Sequence, residues 1–328
     1  VVPVLKVESL KMHYTTMAGS VKAVDGLDFE LESGEVLGIV GESGCGKSSL
    51  ASTLLKLLPT NAQILGGKVL VEGEDVVPMS DAEVRRKIRW TKISLIPQGA
   101  MNALNPVFRV GDQIAEAITA HSDVSRGEAQ KRTIELLKLV GVDPTRRRHY
   151  PHEFSGGMKQ RAMIAMSLAL NPKILIADEP TTALDVIVQA GIIDLLLSLR
   201  GELGAAIILI THDLALVAQM ADKVAIMYAG LFVEYGSSKD VYASPLHPYT
   251  LGLLGAFADI RKPKEALVSV PGTPPDLVNP PPGCRFHPRC VYAKEICRTS
   301  QPAFTEVKPN HFVSCHFWKE IEAGRGGN

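Results

Sequence analysis

No stretch of about eighteen consecutive apolar residues occurs anywhere in the chain, so the sequence offers no candidate for a membrane-crossing helix. Neither sign of charge is in excess. Lys plus Arg and Asp plus Glu number 35 each among 328 residues, which gives no footing for a nucleic-acid partner or a strongly charged surface. The first residues, VVPVLKVESL, lack the basic start and long apolar stretch of a secretory signal and run straight into strand-like sequence. A protein of the cytoplasmic side, able to sit against a membrane partner, is therefore expected. No internal repeat stands out. Cysteine is nearly missing from the first 283 residues, where Cys45 stands alone, while the other four of the five crowd into the tail.

What is present is organised around residues 38 to 49, GIVGESGCGKSS. The apolar run Val36-Leu37-Gly38-Ile39-Val40 reads as a buried strand. It enters Gly41-Glu42-Ser43-Gly44-Cys45-Gly46-Lys47-Ser48, a match to G-x-x-x-x-G-K-[ST], and a helical stretch follows from Ser49. Glycines permit backbone geometries that other residues resist, so successive N–H groups and a helix N-terminus can surround phosphate oxygens. Lys47 is expected to neutralise the β and γ phosphates of a nucleoside triphosphate, and Ser48 to ligate Mg2+. Gly41, Ser43, Gly44, Cys45, Gly46 and Ser49 complete the cradle. The Cys45 thiol need not react, although Lys47 and a helix start beside it can lower its pKa.

Strands and helices alternate along the rest of the chain. Residues 4–14 and the alternating segment around Leu27-Asp28-Phe29-Glu30-Leu31 read as strands, with a hairpin near residues 15–20 and another signal at Gly66 to Gly73. A charged helix is expected over Asp81 to Trp90, then a strand, Ile93-Ser94-Leu95-Ile96, that delivers Gln98. The pattern turns helical from Gly99, with apolar residues three and four apart through residues 111–140. Two further apolar runs, 174–177 and 205–210, end in Asp178-Glu179 and Thr211-His212-Asp213, and residues 224–236 read as a hairpin. Residues 261–283 are rich in proline and read as a linker or irregular arm. The arrangement is an α/β P-loop NTPase core over 1–98 and 162–236, a helical subdomain over 99–161, and a C-terminal extension over 237–328, with ligands at the strands' C-terminal edge.

Asp178 and Glu179 close a buried strand, where carboxylates can serve a metal ion and a water. Asp178 falls to the Mg2+ side, and Glu179 is the better candidate to accept a proton from the attacking water. Taken alone, the pair also fits an acidic helix start before Pro180. His212 can contact the γ phosphate or fix Glu179, and Gln98 can reach Mg2+ and water. Taken alone, each is more often simply a polar strand end.

Cys284, Cys290, Cys297 and Cys315 follow C-x5-C-x6-C-x17-C. Thiols so clustered on the cytoplasmic side suit metal ligation better than disulfides. Thiolates fit tetrahedral zinc or an iron–sulfur cluster, and His287, His311 or His316 can replace one cysteine in a zinc site.

Taken together, these motifs resemble the ATP-binding subunits of ABC transporters. Gly41 to Ser48 resembles Walker A, Ile174 to Glu179 Walker B, and Ser155-Gly156-Gly157-Met158-Lys159-Gln160 the signature loop, with Phe154 and Met158 where Leu and Gln are commoner. Thr182-Ala183-Leu184-Asp185 resembles the D-loop, His212 the switch histidine, Gln98 the Q-loop glutamine, and Tyr14 the aromatic residue that stacks on adenine. The resemblance implies an ABC-type antiparallel β subdomain. It also implies an ATPase whose Glu179, His212, Gln98 and Lys47 serve catalysis, and a head-to-tail pair in which Ser155, Gly156, Gly157 and Asp185 of one subunit meet the nucleotide of the other. Gln98-Gly99-Ala100-Met101-Asn102-Ala103-Leu104-Asn105-Pro106, residues 244–250 and residues 283–290 resemble the oligopeptide/dipeptide importer branch and its D-type subunit.

That resemblance implies a second homologous ATPase subunit, two transmembrane permeases, an extracytoplasmic solute-binding protein and a peripheral place on the cytoplasmic face of the membrane. It implies a groove around Leu104-Asn105-Pro106 for a permease helix, part of it an exposed apolar patch. Peptides are the expected cargo, with nickel or oligosaccharides as alternatives. A soluble non-transport ABC ATPase and a non-hydrolysing ATP-binding module are the readings of a different class. It further implies a 4Fe-4S cluster on the four tail cysteines, with zinc as the alternative.

Overall fold

The computed structural model describes residues 2–255 and 270–324. Two sheets carry the chain. The first, antiparallel, has the order β2-β1-β4-β5, formed by β1 (Leu5–Thr16), β2 (Gly19–Leu31), β4 (Ala62–Val71) and β5 (Glu74–Asp75). The second has eight strands in the order β11-β12-β10-β9-β3-β8-β7-β6. Its parallel centre comprises β9 (Lys223–Tyr228), β3 (Val36–Val40), β8 (Ala206–Thr211), β7 (Ile174–Asp178) and β6 (Ile93–Ile96).

The apolar runs VLGIV, ILIA and AIILI explain that centre. A parallel sheet is covered on both faces, so its strands read as continuous rather than alternating hydrophobic sequence. Alternate residues serve different layers. Val36, Val40, Leu175, Ala177, Ile207 and Leu209 face one core, which also receives the helical insertion. Leu37, Ile39, Ile174, Ile176, Ile208 and Ile210 face the other, shared with α1 (Lys47–Leu54) and the antiparallel sheet. A one-residue slip of any of these strands would exchange the two sets.

The helices largely follow their sequence signals. α2 (Asp81–Lys87) opens on a Ser80–Glu83 capping box and stops three residues short of Trp90, which sits at φ 70°. The insertion holds α3 (Val110–Thr119), α4 (Arg126–Leu139) and α5 (Gly156–Ser167), while α6 (Val186–Leu203) and α7 (Leu214–Met220) flank the parallel strands. Leu104 is buried in the insertion, whereas Val107 and Phe108 stand exposed beside it. Among the described residues no helix is long and apolar enough to cross a membrane.

The hairpin signal at Gly66 to Gly73 falls on β4 and β5, which turn at Glu72-Gly73, while Gly66-Gly67 lies within β4. Gly67 takes φ 88° where the register against β1 shifts, and a Cβ there would come 2.5 Å from the carbonyls of Glu8 and Ser9. The tail is also less of a separate arm than its proline content suggests. After β10 (Leu231–Ser237), the short strands β11 (Thr305–Lys308) and β12 (His311–Val313) return as a hairpin and extend the main sheet, with Glu234 opposite Val313 and Tyr235 opposite Phe312. The fully buried Glu234 carboxylate anchors this return, accepting from the N–H groups of Leu246 (2.7 Å) and His247 (3.0 Å) and pairing with His311 Nε2 at 2.8 Å. Burial pushes His247 down to about 3, so its imidazole is neutral and Nδ1 accepts from the Tyr249 N–H. Of the proline-rich stretch expected as a linker, residues 261–269 lie outside the described residues, and 270–283 pack against the core without regular structure.

Candidate functional site

Four parallel strands end side by side, and each delivers one chemical group to the same edge. β3 leads into the phosphate loop, β6 into Gln98, β7 into Asp178 and Glu179, and β8 into His212. An open α/β sheet gathers its ligand groups at that edge.

The loop's shape follows from its glycines. Gly44 and Gly46 have φ 79° and 112°, and a Cβ on Gly46 would stand 2.0 Å from the Ala23 carbonyl. With Gly46 at its N-cap, α1 begins without a side-chain cap, so the N–H groups of its first turn are available to an anion. Lys47 lies almost wholly inside, its Nζ donating to the carbonyls of Gly41 (2.7 Å) and Glu42 (2.9 Å). Tyr14, Ser43, Gly44, Gly46, Lys47, Ser48, Ser49, Gln98 and Glu179 line one cleft of about 200 Å3. At its far end Tyr14 donates from its hydroxyl to Ser49 Oγ (3.1 Å).

Asp178 is buried at the end of β7, and its Oδ1 has no hydrogen-bond partner. Burial raises its pKa and the Glu179 charge adds to this, while a hydrogen bond from Ser48 and the Lys47 charge act the other way. A buried carboxylate oxygen without a partner, beside a hydroxyl, is a donor set that suits a hard divalent cation.

Glu179 sits at φ 47°, an unusual backbone for a non-glycine residue. Its Oε2 accepts from Gln98 Nε2 and Thr182 Oγ1, each at 3.0 Å, and its Oε1 lies 3.2 Å from His212 Nδ1. Burial alone would raise its pKa. The hydrogen bonds of His212 and Thr182, with the charges of His212 and Lys47, outweigh burial and hold the carboxyl below its usual range. His212 itself is 68 % exposed, so it reaches Glu179 from the solvent side.

Ser155, Gly156 and Gly157 do not line this cleft. They open α5, where Ser155 Oγ accepts from the Met158 N–H, and a Cβ on Gly157 would come 2.7 Å from Val188. Asp185 caps α6 through the Val188 N–H (2.9 Å), and the next two residues, Val186 and Ile187, are 79 % and 85 % exposed. At Cys45 burial raises the thiol pKa and outweighs the lowering effect of Lys47.

One wall of the cleft was not legible in the sequence. Leu277, from the proline-rich stretch, lines it beside Val21 and Ala23 and accepts the Lys22 N–H at its carbonyl (3.0 Å). A single leucine among prolines carries no signal for such a role.

The tail cysteines come together. Cys284, Cys290, Cys297 and Cys315 line one small pocket with Phe286, His287, His316 and Phe317. None is in a disulfide. Backbone N–H groups point at three sulfurs: those of Phe286 and His287 at Cys284, of Tyr292 at Cys290, and of Phe317 at Cys315 (3.4 Å). Burial pushes Cys290 up to about 11 and Cys315 to about 12. Among the described residues no three His, Cys, Asp or Glu side chains stand where they would hold a metal ion, so the pocket gathers the thiols without forming a ligand shell. His287 Nδ1 and His316 Nε2 are bonded to the carbonyls of Cys284 and Ser300, which leaves each of these pocket histidines its other ring nitrogen, and His311 pairs through Nε2 with Glu234.

Residues 24–182 match the ABC transporter family, and residues 233–297 match the oligopeptide/dipeptide transporter C-terminal region. The dipeptide transport ATP-binding protein DppD of Bacillus subtilis (strain 168) is 47 % identical over 315 residues, 95 % of this chain and 94 % of the relative. The oligopeptide transport ATP-binding protein OppD of Escherichia coli (strain K12) is 47 % identical over 320 residues, 97 % and 94 % of the two chains. Among solved structures, the dimeric bacterial ABC transporter cassette MJ0796 is similar with a TM-score of 0.64 and 28 % identity, covering 71 % of this chain and 98 % of that one.

Proposed function

We propose a function on the premise that the chain belongs to the ABC transporter family, as an ATP-binding subunit of its oligopeptide/dipeptide branch. The protein binds and hydrolyses ATP and works with partner permeases to import peptides. The observation that carries the chemistry is the meeting of Lys47, Ser48, Asp178 and Glu179 at adjoining strand ends around one cleft.

In this reading the loop N–H groups and the N-terminus of α1 bind the phosphates, and Lys47 turns from the loop carbonyls to the β and γ phosphates. Ser48 and Asp178 hold Mg2+, which supplies charge neutralisation on the phosphate oxygens. Glu179, ionised and fixed by Gln98, Thr182 and His212, takes the proton of the attacking water. Tyr14 and Leu277 enclose the base.

A second ATPase subunit supplies the remaining groups. The α5 N-terminus with Ser155, Gly156 and Gly157 has no nucleotide of its own to serve. Together with exposed Val186 and Ile187 beside Asp185, it suits a head-to-tail partner. Exposed Val107 and Phe108 suit a helix of a permease. A solute-binding protein completes the importer, with this subunit peripheral on the cytoplasmic face. The division into a core of 1–98 and 162–236, a helical subdomain of 99–161 and an extension of 237–328 belongs to the same reading.

Co-expression with two permeases, a second ATPase and a binding protein, followed by reconstitution in liposomes, tests it. ATP-dependent uptake of di- or oligopeptides is the expected result. Uptake of nickel or an oligosaccharide instead would overturn the cargo, and no Mg-ATPase activity in the complete assembly would overturn the enzyme.

The four tail thiols are assigned to a 4Fe-4S cluster. Support comes from four thiols around one pocket and N–H groups aimed at three of their sulfurs. Anaerobically purified protein is expected to carry about four iron and four acid-labile sulfide per chain. One zinc without sulfide would replace the cluster with a structural zinc site, and absence of both would remove the assignment.

A further inference from the structure

The phosphate loop contains an acidic side chain, Glu42, in a site built for a polyanion. An uncompensated carboxylate there opposes triphosphate binding, because like charges repel strongly where water is partly excluded. The compensation comes from the far end of the chain. Arg289 grips the Glu42 carboxylate with both arms of its guanidinium, Nη1 to Oε2 at 2.5 Å and Nη2 to Oε1 at 2.8 Å. This is the forked geometry that Lys cannot reproduce.

Arg289 is locked in place for the task. Its side chain is 5 % exposed. Nε donates to the Pro271 carbonyl at 2.6 Å, Nη1 lies 3.4 Å from the Tyr228 hydroxyl, and the guanidinium rests over the Tyr228 and Phe286 rings. The same loop residue is held at its other polar groups. The Glu42 N–H donates to the Tyr249 hydroxyl (2.9 Å), and its carbonyl receives Lys47 Nζ. The carboxylate's cationic partner and the N–H's acceptor both come from beyond residue 237, while Lys47 meets the carbonyl.

We propose that Arg289 is a positioning residue of the nucleotide site, which cancels the Glu42 charge and fixes the entry of the phosphate loop so that MgATP binds. The tail is then part of the ATP site rather than an appendage. This deepens the ATPase reading and rests on it.

The test is MgATP affinity of the full chain, measured by equilibrium titration beside its fold and thermal midpoint. Arg289→Gln is expected to weaken MgATP about tenfold or more, since an unpaired carboxylate is then left on the phosphate loop. Adding Glu42→Gln to it is expected to restore affinity to within about threefold of wild type, the pattern of two coupled residues. A merely structural Arg289 would give a double variant as weak as the single or weaker, and that result, or an unchanged single variant, overturns the proposal. Should Arg289→Gln not fold, Arg289→Lys keeps the charge and loses the fork. Its weakening is expected at about two- to threefold and to vanish with Glu42→Gln, whereas additive losses overturn the proposal. Wild-type protein that fails to bind MgATP would instead sink the site reading itself.

Discussion

Glu179→Gln is expected to cut Mg-ATP turnover by about 10²- to 10³-fold while MgATP affinity stays within a few-fold of wild type. The substitution keeps the size of the side chain and removes its capacity to take a proton. Nothing in the phosphate loop changes, since Lys47, the loop N–H groups and the α1 N-terminus are placed by β3 and the glycines. The three groups around the carboxylate make the effect sharper. Gln98, Thr182 and His212 all meet Glu179, and a neutral amide can accept at only one of its two ends. Single-turnover hydrolysis and equilibrium binding, measured in the same buffer, separate the two quantities. Turnover within tenfold of wild type would remove Glu179 from the role of base.

His311→Leu is expected to destabilise the protein by about 3 kcal/mol, because it strips a fully buried carboxylate of its side-chain partner. Glu234 keeps two backbone donors, from Leu246 and His247, so the loss should fall at the lower end for a broken buried pair. Adding Glu234→Gln should recover part of the loss, since the stranded charge is what costs most. Urea unfolding of both variants measures this. A loss below about 1 kcal/mol for His311→Leu would show that the two N–H groups suffice for Glu234.

The parts of the site that could be read beforehand are local. A strand, a glycine-rich turn and a helix lie within a dozen or so neighbouring positions, and Asp178 and Glu179 follow their own apolar run directly. Such patterns record the geometry because the groups that make it are adjacent in sequence. Arg289 and Glu42 are 247 positions apart, and Leu277 reaches β2 from a stretch whose composition says only that it is irregular. Nothing periodic marks either. The hairpin of β11 and β12 was hidden for another reason: strands of four and three residues are too short to show alternation. At Cys45 the sequence displayed a neighbouring lysine and a helix start but not the burial that outweighs them.

The C-terminal hairpin also decides how the main sheet ends. Without it, β10 would be the border strand, and five of its seven residues, Phe232 to Gly236, are buried, so an edge with free N–H and carbonyl groups would face solvent. The hairpin moves that border outward to β11, whose Thr305-Glu306-Val307-Lys308 is brief and carries both charges, a poor template for another chain. A shortened chain ending before residue 305 would therefore keep its whole phosphate loop and still be prone to self-association through its exposed sheet.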